Sequence, residues 1–380
     1  MKSVYLRLLL PAMFILLSAT CSFAQQKILK KLFSNEKDST RSSSFLPLPA
    51  IGYSQETGFE FGLVTLYSFY TDRQDTLTRN SSITGVATYT TKKQTNLLLR
   101  TDYWTPQNRF HYMNDIRYKD FPFSFYGTGN QTREADKQRI TQKLFRFSAE
   151  VEKKTGRASY TGVNASFENY QFDFDNDPIN VNIPPPGKDG GKVLFLGLSQ
   201  ILDSRNSNTY STSGTYIKLN YSYAPGFFGE ENYSGSLTKF EFRTFKSFNA
   251  ETVLGFNANY QALQGSKETP FYLMPQLGND QMMRGYYTGR YRDINLLAAQ
   301  AELRYRFHPR LGVVGFVGGG TVYSRGNLKF SGLKPSYGGG FRYFFDVERG
   351  LSVRLDYGVG EKRSMEKRQT GFYISLGEAF

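Results

Sequence analysis

Two histidines, His111 and His308, and a single cysteine, Cys21, are all the chain offers for imidazole or thiol chemistry. A serine-type or Asn-His-Ser hydrolase needs an imidazole beside a nucleophile and an orienting polar group. His111 sits in an alternating segment with no such signature around it, and His308 precedes Pro309 in a short turn. Asp173-Phe174-Asp175-Asn176-Asp177-Pro178 spaces carboxylates as a calcium site could, yet it lacks the glycine turn and distal glutamate of a calcium loop. It reads as a solvated acidic loop. Tyr126-Gly127-Thr128-Gly129 is followed by neither a lysine nor a helical pattern, so it reads as a turn and not as a phosphate cradle. These residues point away from an enzyme and from a bound cofactor or metal.

The start of the chain indicates export. Lys2 and Arg7 precede the apolar stretch Leu8 to Leu17, and Ser22-Phe23-Ala24 offers a cleavage site, so residues 1–24 read as a signal peptide. Lipidation at Cys21 is the competing reading, opposed by Thr20 and Ser18, which are poor matches to a lipoprotein site. Cleavage after Ala24 leaves no cysteine, and with it no disulfide framework.

Beyond the leader no run of 18 apolar residues occurs, which excludes helical spans. The mean hydropathy is polar at −0.47, while 33 Phe, 27 Tyr and 36 Gly stand against one Trp. A polar average rich in aromatics suits strands with one face to lipid and the other to water. Alternation supports this reading: Phe145, Phe147, Ala149 and Val151 interleave with Arg146, Ser148, Glu150 and Glu152. The same period recurs at Ala299, Ala301, Leu303 and Tyr305 against Gln300, Glu302, Arg304 and Arg306, and at Leu351, Val353, Leu355 and Tyr357 against Ser352, Arg354 and Asp356. A charge facing lipid costs about 2–4 kcal/mol at mid-membrane, so the charged phase is the interior. Counting such segments from 48–54 to 371–380 gives about 16 strands, an all-β transmembrane antiparallel barrel over residues 47–380, with 25–46 a short periplasmic tail. Long connections at 119–140, 173–191, 263–294 and 324–335 alternate with short turns such as His308-Pro309-Arg310. In an up-and-down barrel this puts both termini on the periplasmic side. The net charge is +14, or +12 without Lys2 and Arg7, and it is spread over alternating positions. That distribution describes lumen and rim charge and gives no nucleic-acid footprint.

The last segment alternates, with Phe372, Ile374, Leu376 and Phe380 expected on one face. By resemblance to other outer-membrane proteins, its terminal aromatic is a signal to the outer-membrane assembly machinery during biogenesis.

Three stretches in order resemble the barrel of the BamA/TamA superfamily, also called the bacterial surface antigen family. Ile51-Gly52-Tyr53-Ser54-Gln55-Glu56-Thr57-Gly58-Phe59-Glu60-Phe61-Gly62 resembles its opening hairpin. Asp203-Ser204-Arg205-Asn206 followed by Gly214 resembles its periplasmic turn, with Ser211 where the family typically has proline. Met283-Arg284-Gly285-Tyr286 resembles the Val-Arg-Gly-Phe tip of the loop that folds back into the lumen. The resemblance implies that Arg284 pairs with Glu302, an inward-phase residue of the next strand. The second acid it implies, on the strand after that, is replaced by Gly318. The family's periplasmic POTRA modules are absent from the sequence. Taken with the alternation, the resemblance implies a monomeric, noncatalytic barrel that contacts outer-membrane lipid and assembles or translocates a protein or lipid client. A passive transport pore and, less favoured, a lipid hydrolase using His111 are the alternatives.

Overall fold

The computed structural model describes residues 40–54, 58–174, 185–265 and 268–380. The expected leader, the tail up to residue 39, the hairpin tip 55–57 and the acidic loop from Asp175 onward lie outside the described residues.

Sixteen strands form one sheet in which each pairs antiparallel with its neighbours. They are β1 (Ser44–Ser54), β2 (Gly58–Phe69), β3 (Ser81–Thr90), β4 (Thr95–Trp104), β5 (Phe110–Phe125), β6 (Gln138–Lys154), β7 (Ser159–Phe174), β8 (Gly191–Asp203), β9 (Gly214–Ala224), β10 (Gly235–Ser247) and β11 (Thr252–Gly265). Two short strands within the long loop, β12 (Gln276–Leu277) and β13 (Tyr291–Arg292), pair only with each other. The barrel resumes with β14 (Asn295–His308), β15 (Leu311–Tyr323), β16 (Lys334–Asp346), β17 (Leu351–Val359) and β18 (Thr370–Leu376).

The phase read from alternation holds. Phe145, Phe147, Leu303, Tyr305, Leu355 and Tyr357 are exposed on the outer face, while Glu302, Arg304, Arg354 and Asp356 are buried inside. The lone tryptophan, Trp104, is buried in the lumen, where its ring stacks on His111 at 3.7 Å.

Three strands depart from expectation. β1 begins at Ser44, four residues before the expected start and inside the expected tail 25–46, where Leu46 packs against the last strands. β5 runs to Phe125 instead of stopping at 118, and its register with β6 is unbroken through Pro122, which sits opposite Thr141. Lys119, Asp120 and Pro122 interrupt the pattern in sequence. In the fold the extension is held by Phe123 and Phe125, which pack on Phe271 of the inward loop. The final strand ends early, at Leu376, because Gly377 takes φ +75° and turns the chain inward. Phe372 and Ile374 stay exposed on the outer face, but Phe380 is buried against Phe245. The single-face expectation for Phe380 is therefore corrected. Glu378 is what draws the end in, since its carboxylate accepts from Arg342 Nε at 2.9 Å and from the Ser352 hydroxyl.

Among the described residues no ladder joins β1 to β18. Leu46 and Leu48 of β1 and Leu66 of β2 instead pack with Phe345, Tyr343, Leu351, Val353 and Leu376. Leu351, Val353 and Leu376 share the outward phase of Leu355 and Ile374, so the first hairpin laps over the outer face of the last strands. Hydrophobic overlap, and not backbone pairing, closes this seam.

Candidate functional site: the inward loop and its lock

The loop between β11 and β14 is too apolar to stand in water. Leu277, Met282, Met283, Tyr286 and Tyr291 are buried with Leu296, Ala298 and Val322 of the wall, which brings the tip down into the lumen. Met283 at φ +57° and Gly285 at φ +107° form the turn there. A Cβ on Gly285 would lie 2.8 Å from the Val359 backbone, and one on Gly358 would lie 2.5 Å from the carbonyl carbon of Arg284. Both positions need glycine because backbone meets backbone at this contact.

Arg284 is wholly buried at the centre. Its Nη2 donates to Glu302 Oε2 at 2.6 Å, its Nη1 donates to Asp356 Oδ2 at 2.6 Å, and its guanidinium lies 3.5 Å from the centroid of the Phe316 ring. The expected partner, Glu302, is in place. The second carboxylate also exists, supplied by Asp356 of β17 in place of the strand that carries Gly318. An aspartate at 318 has no room, because a Cβ there would lie 2.6 Å from the Ala299 carbonyl oxygen.

The pair is the heart of a larger array. Arg304 Nε donates to Glu302 at 2.9 Å, Arg342 Nη1 to Asp356 at 2.6 Å, and Arg354 to both Asp356 at 3.0 Å and Asp280 at 2.6 Å. With Glu378, bonded to Arg342, four carboxylates face four guanidiniums. Each charge is thereby compensated where water is largely excluded. Alternation had placed Glu302, Arg304, Arg354 and Asp356 inward, but which acid meets which base depends on the curvature of the whole barrel.

The tip also grips the last strand. Gly285 N–H donates to the Tyr373 hydroxyl at 2.9 Å, and Ser375 donates to Asp280 at 2.8 Å. Tyr286 donates to the Pro335 carbonyl at 2.6 Å and accepts from Glu361 N–H at 2.8 Å. Burial pushes the Tyr286 phenol up, so it stays a neutral donor. Tyr373 and Ser375 were not singled out from the sequence. Their inward phase was readable, their partners were not.

The turn residues Asp203, Arg205 and Gly214 also come together. Asp203 accepts from Arg205 at 2.9 Å and from Arg79 of the β2–β3 connection. Gly214, at φ +95°, leaves a Cβ no space against Ser204. Where the resemblance implies proline, the Ser211 hydroxyl donates to the Ser207 carbonyl at 2.8 Å and fixes the turn. Residues 204–213 then cross the barrel mouth: Asn208 donates to the Asn80 carbonyl, Thr209 to the Arg349 carbonyl, and Tyr210 packs edge-on to Phe344. This strap covers the end at which β1 begins and β18 stops, as the loop fills the other.

His111 has no free nitrogen for a nucleophile: Nδ1 lies 2.8 Å from Glu152 and Nε2 lies 3.1 Å from Asp102. Among the described residues no His, Cys, Asp and Glu grouping could hold a metal ion.

Solved structures share this architecture at low identity. BamA from Haemophilus ducreyi lacking POTRA domains 1–3 matches with a TM-score of 0.54 at 13% identity, covering 89% of this chain and 70% of that one. CdiB from Acinetobacter baumannii matches with a TM-score of 0.55 at 12% identity over 88% and 59% of the two chains. CdiB from Escherichia coli gives 0.55 at 11% identity over 88% and 62%. The chain thus spans about three fifths of both CdiB chains. No curated protein matches the sequence. The profile of the Omp85 superfamily domain matches residues 76–380, which include the strap, the inward loop and every partner of Arg284, and the chain belongs to that superfamily.

Proposed function

We propose that this chain is a noncatalytic outer-membrane barrel, with both termini periplasmic, that assembles or translocates a protein or lipid client at the seam between β1 and β18. One observation carries the reading. β18 has no ladder partner in β1 among the described residues, yet it is held from inside by the loop tip through Tyr373 and Ser375. A strand with unpaired backbone groups is a template for an incoming strand. Here its position is set by a lock that can be released. The Omp85 membership supports an outer-membrane assembly or translocation role, and the use of the seam extends that role to a specific surface. A photo-crosslinking residue at Phe372 or Ile374 in living cells should capture nascent outer-membrane proteins. Capture of none under conditions of active secretion would reject the seam as the working surface.

A passive pore has one observation in its favour, a polar cavity of about 660 Å³ inside the barrel. The filled loop end and strapped terminal end weigh against it.

A further inference from the structure

Among the described residues, two cavities in the lumen differ in how far their charges are compensated. In the larger one most charged side chains are matched: Lys218 meets Glu150 and Glu152, Arg146 meets Glu168, and Arg100 meets Asp115, while Lys239 has no carboxylate at ion-pair distance among the described residues. The second, of about 530 Å³, lies between β5 to β7, the inward loop and β18, and its cations are unmatched. Arg292 is 2% exposed, and among the described residues no carboxylate lies within ion-pair distance of it. Its only acceptors are the Phe271 and Gly289 carbonyls, at the long distances of 3.4 and 3.5 Å, and its Nε has none. The rings of Phe123, Phe125 and Phe271 surround it at 5.2–5.7 Å. Burial lowers the guanidinium to about 10, with no acid to offset it, and it remains charged at neutral pH. Lys119, 5.5 Å from the Phe121 ring, is a second cation on the same cavity, again without a carboxylate at ion-pair distance among the described residues.

We propose that this cavity binds an organic anion, a phosphate or carboxylate joined to an aromatic or acyl body, with Arg292 and Lys119 as counter-ions. A buried, poorly satisfied guanidinium is costly until an anion supplies charge-assisted hydrogen bonds. The aromatic walls, Phe121, Phe123, Phe172 and Tyr272, give the apolar part its contact. The volume falls within the range of about 300–1,000 Å³ typical of small-molecule sites. Although Thr370 and Tyr373 of β18 line this cavity, the ligand site is tested apart from the assembly role, because the probe reads binding and not capture of a client at the seam.

The test uses the full chain in phosphatidylcholine nanodiscs, with phenyl phosphate as probe and phenol as its neutral counterpart, followed by ligand-observed NMR titration. Phenyl phosphate should bind saturably and at least about tenfold tighter than phenol. Lys119→Gln should weaken it about fivefold, and Arg292→Gln should weaken it further. Should Arg292→Gln fail to fold, Lys119→Gln and Phe172→Ala, which should also weaken binding, carry the test. Displacement of the probe by phosphatidic acid in the nanodisc assigns the natural anion to the membrane, and its persistence assigns it to the aqueous phase. No saturable binding up to about 10 mM, equal affinity for phenol, or affinity indifferent to the folded variants overturns the proposal.

Discussion

At the scale of single residues, Asp356 matters most among the positions that motif reasoning passed over. Arg284 is bonded equally, at 2.6 Å, to Glu302 and to Asp356, and all three side chains are fully buried. Removing one member strands the others, a loss of about 3–5 kcal/mol for a buried ionic network. Asp356→Asn and Arg284→Ala should each fall near the lower bound, since the neighbouring guanidiniums and carboxylates redistribute. A double-mutant cycle between them should give a coupling of about 1.5–3 kcal/mol. The readout is denaturant unfolding followed by Trp104, the only tryptophan and a buried one. A coupling near zero would make Asp356 a bystander and leave Glu302 as the sole anchor. The inward phase of Asp356 was legible in the alternation of β17. Its partnership was not, because Arg284 lies 72 residues away and no local pattern carries a contact across the lumen.

At the scale of elements, the inward loop and the final strand were legible to different degrees. The loop tip was recognisable from Arg284-Gly285-Tyr286, and its inward course is enforced by glycines on both sides of the contact. Gly285→Ala should therefore release it: the residue is at φ +107°, and its Cβ would meet the Val359 and Gly358 backbone at 2.8–2.9 Å. Strain of about 1–3 kcal/mol at such a position is enough to favour the free loop. Protease added from outside should then cut within 268–294. Gly326→Ala, at φ +71° with nothing within 4 Å, is the control that should leave cleavage unchanged. The final strand was read as one outward face, and period alone could not reveal the turn at Gly377. Glu378 was the visible warning, a carboxylate on an otherwise apolar face. Two roles thus separate. Phe380→Ala removes a ring buried on Phe245, and should lower stability by about 3 kcal/mol in unfolding experiments. Phe372→Ser changes an exposed side chain, and should slow appearance of the heat-modifiable folded form in cells while leaving that stability nearly unchanged. Equal stability loss in both variants would dissolve the distinction.

At the scale of the whole molecule, the barrel is shut twice, once at each end, and Arg304, bonded to Glu302 and lying beside Tyr210, is where the two closures meet. The loop closure rests on Arg284, Glu302 and Asp356. The strap closure rests on Asp203 and Tyr210, the latter wedged beside Phe344 with the Arg304 and Arg306 guanidiniums 5.8 and 5.6 Å from its ring centroid. Strand count and loop lengths foretold a large barrel, but a 10-residue turn spanning its mouth carries no signature in composition, since its anchors are distant carbonyls and rings. Between the closures lies the polar cavity that a pore would use. A pore would conduct in its resting state. A barrel that works at its seam has no need to, so single channels of the unmodified protein in planar bilayers should be silent. Opening one end alone leaves the other in the path, so Arg284→Ala and a Gly-Ser replacement of residues 206–212 should each stay silent or flicker rarely. The combination should conduct steadily, with a preference for anions set by the excess of positive charge. Steady conductance by the unmodified chain would instead make the lumen the transport path and move the function from the seam to the pore.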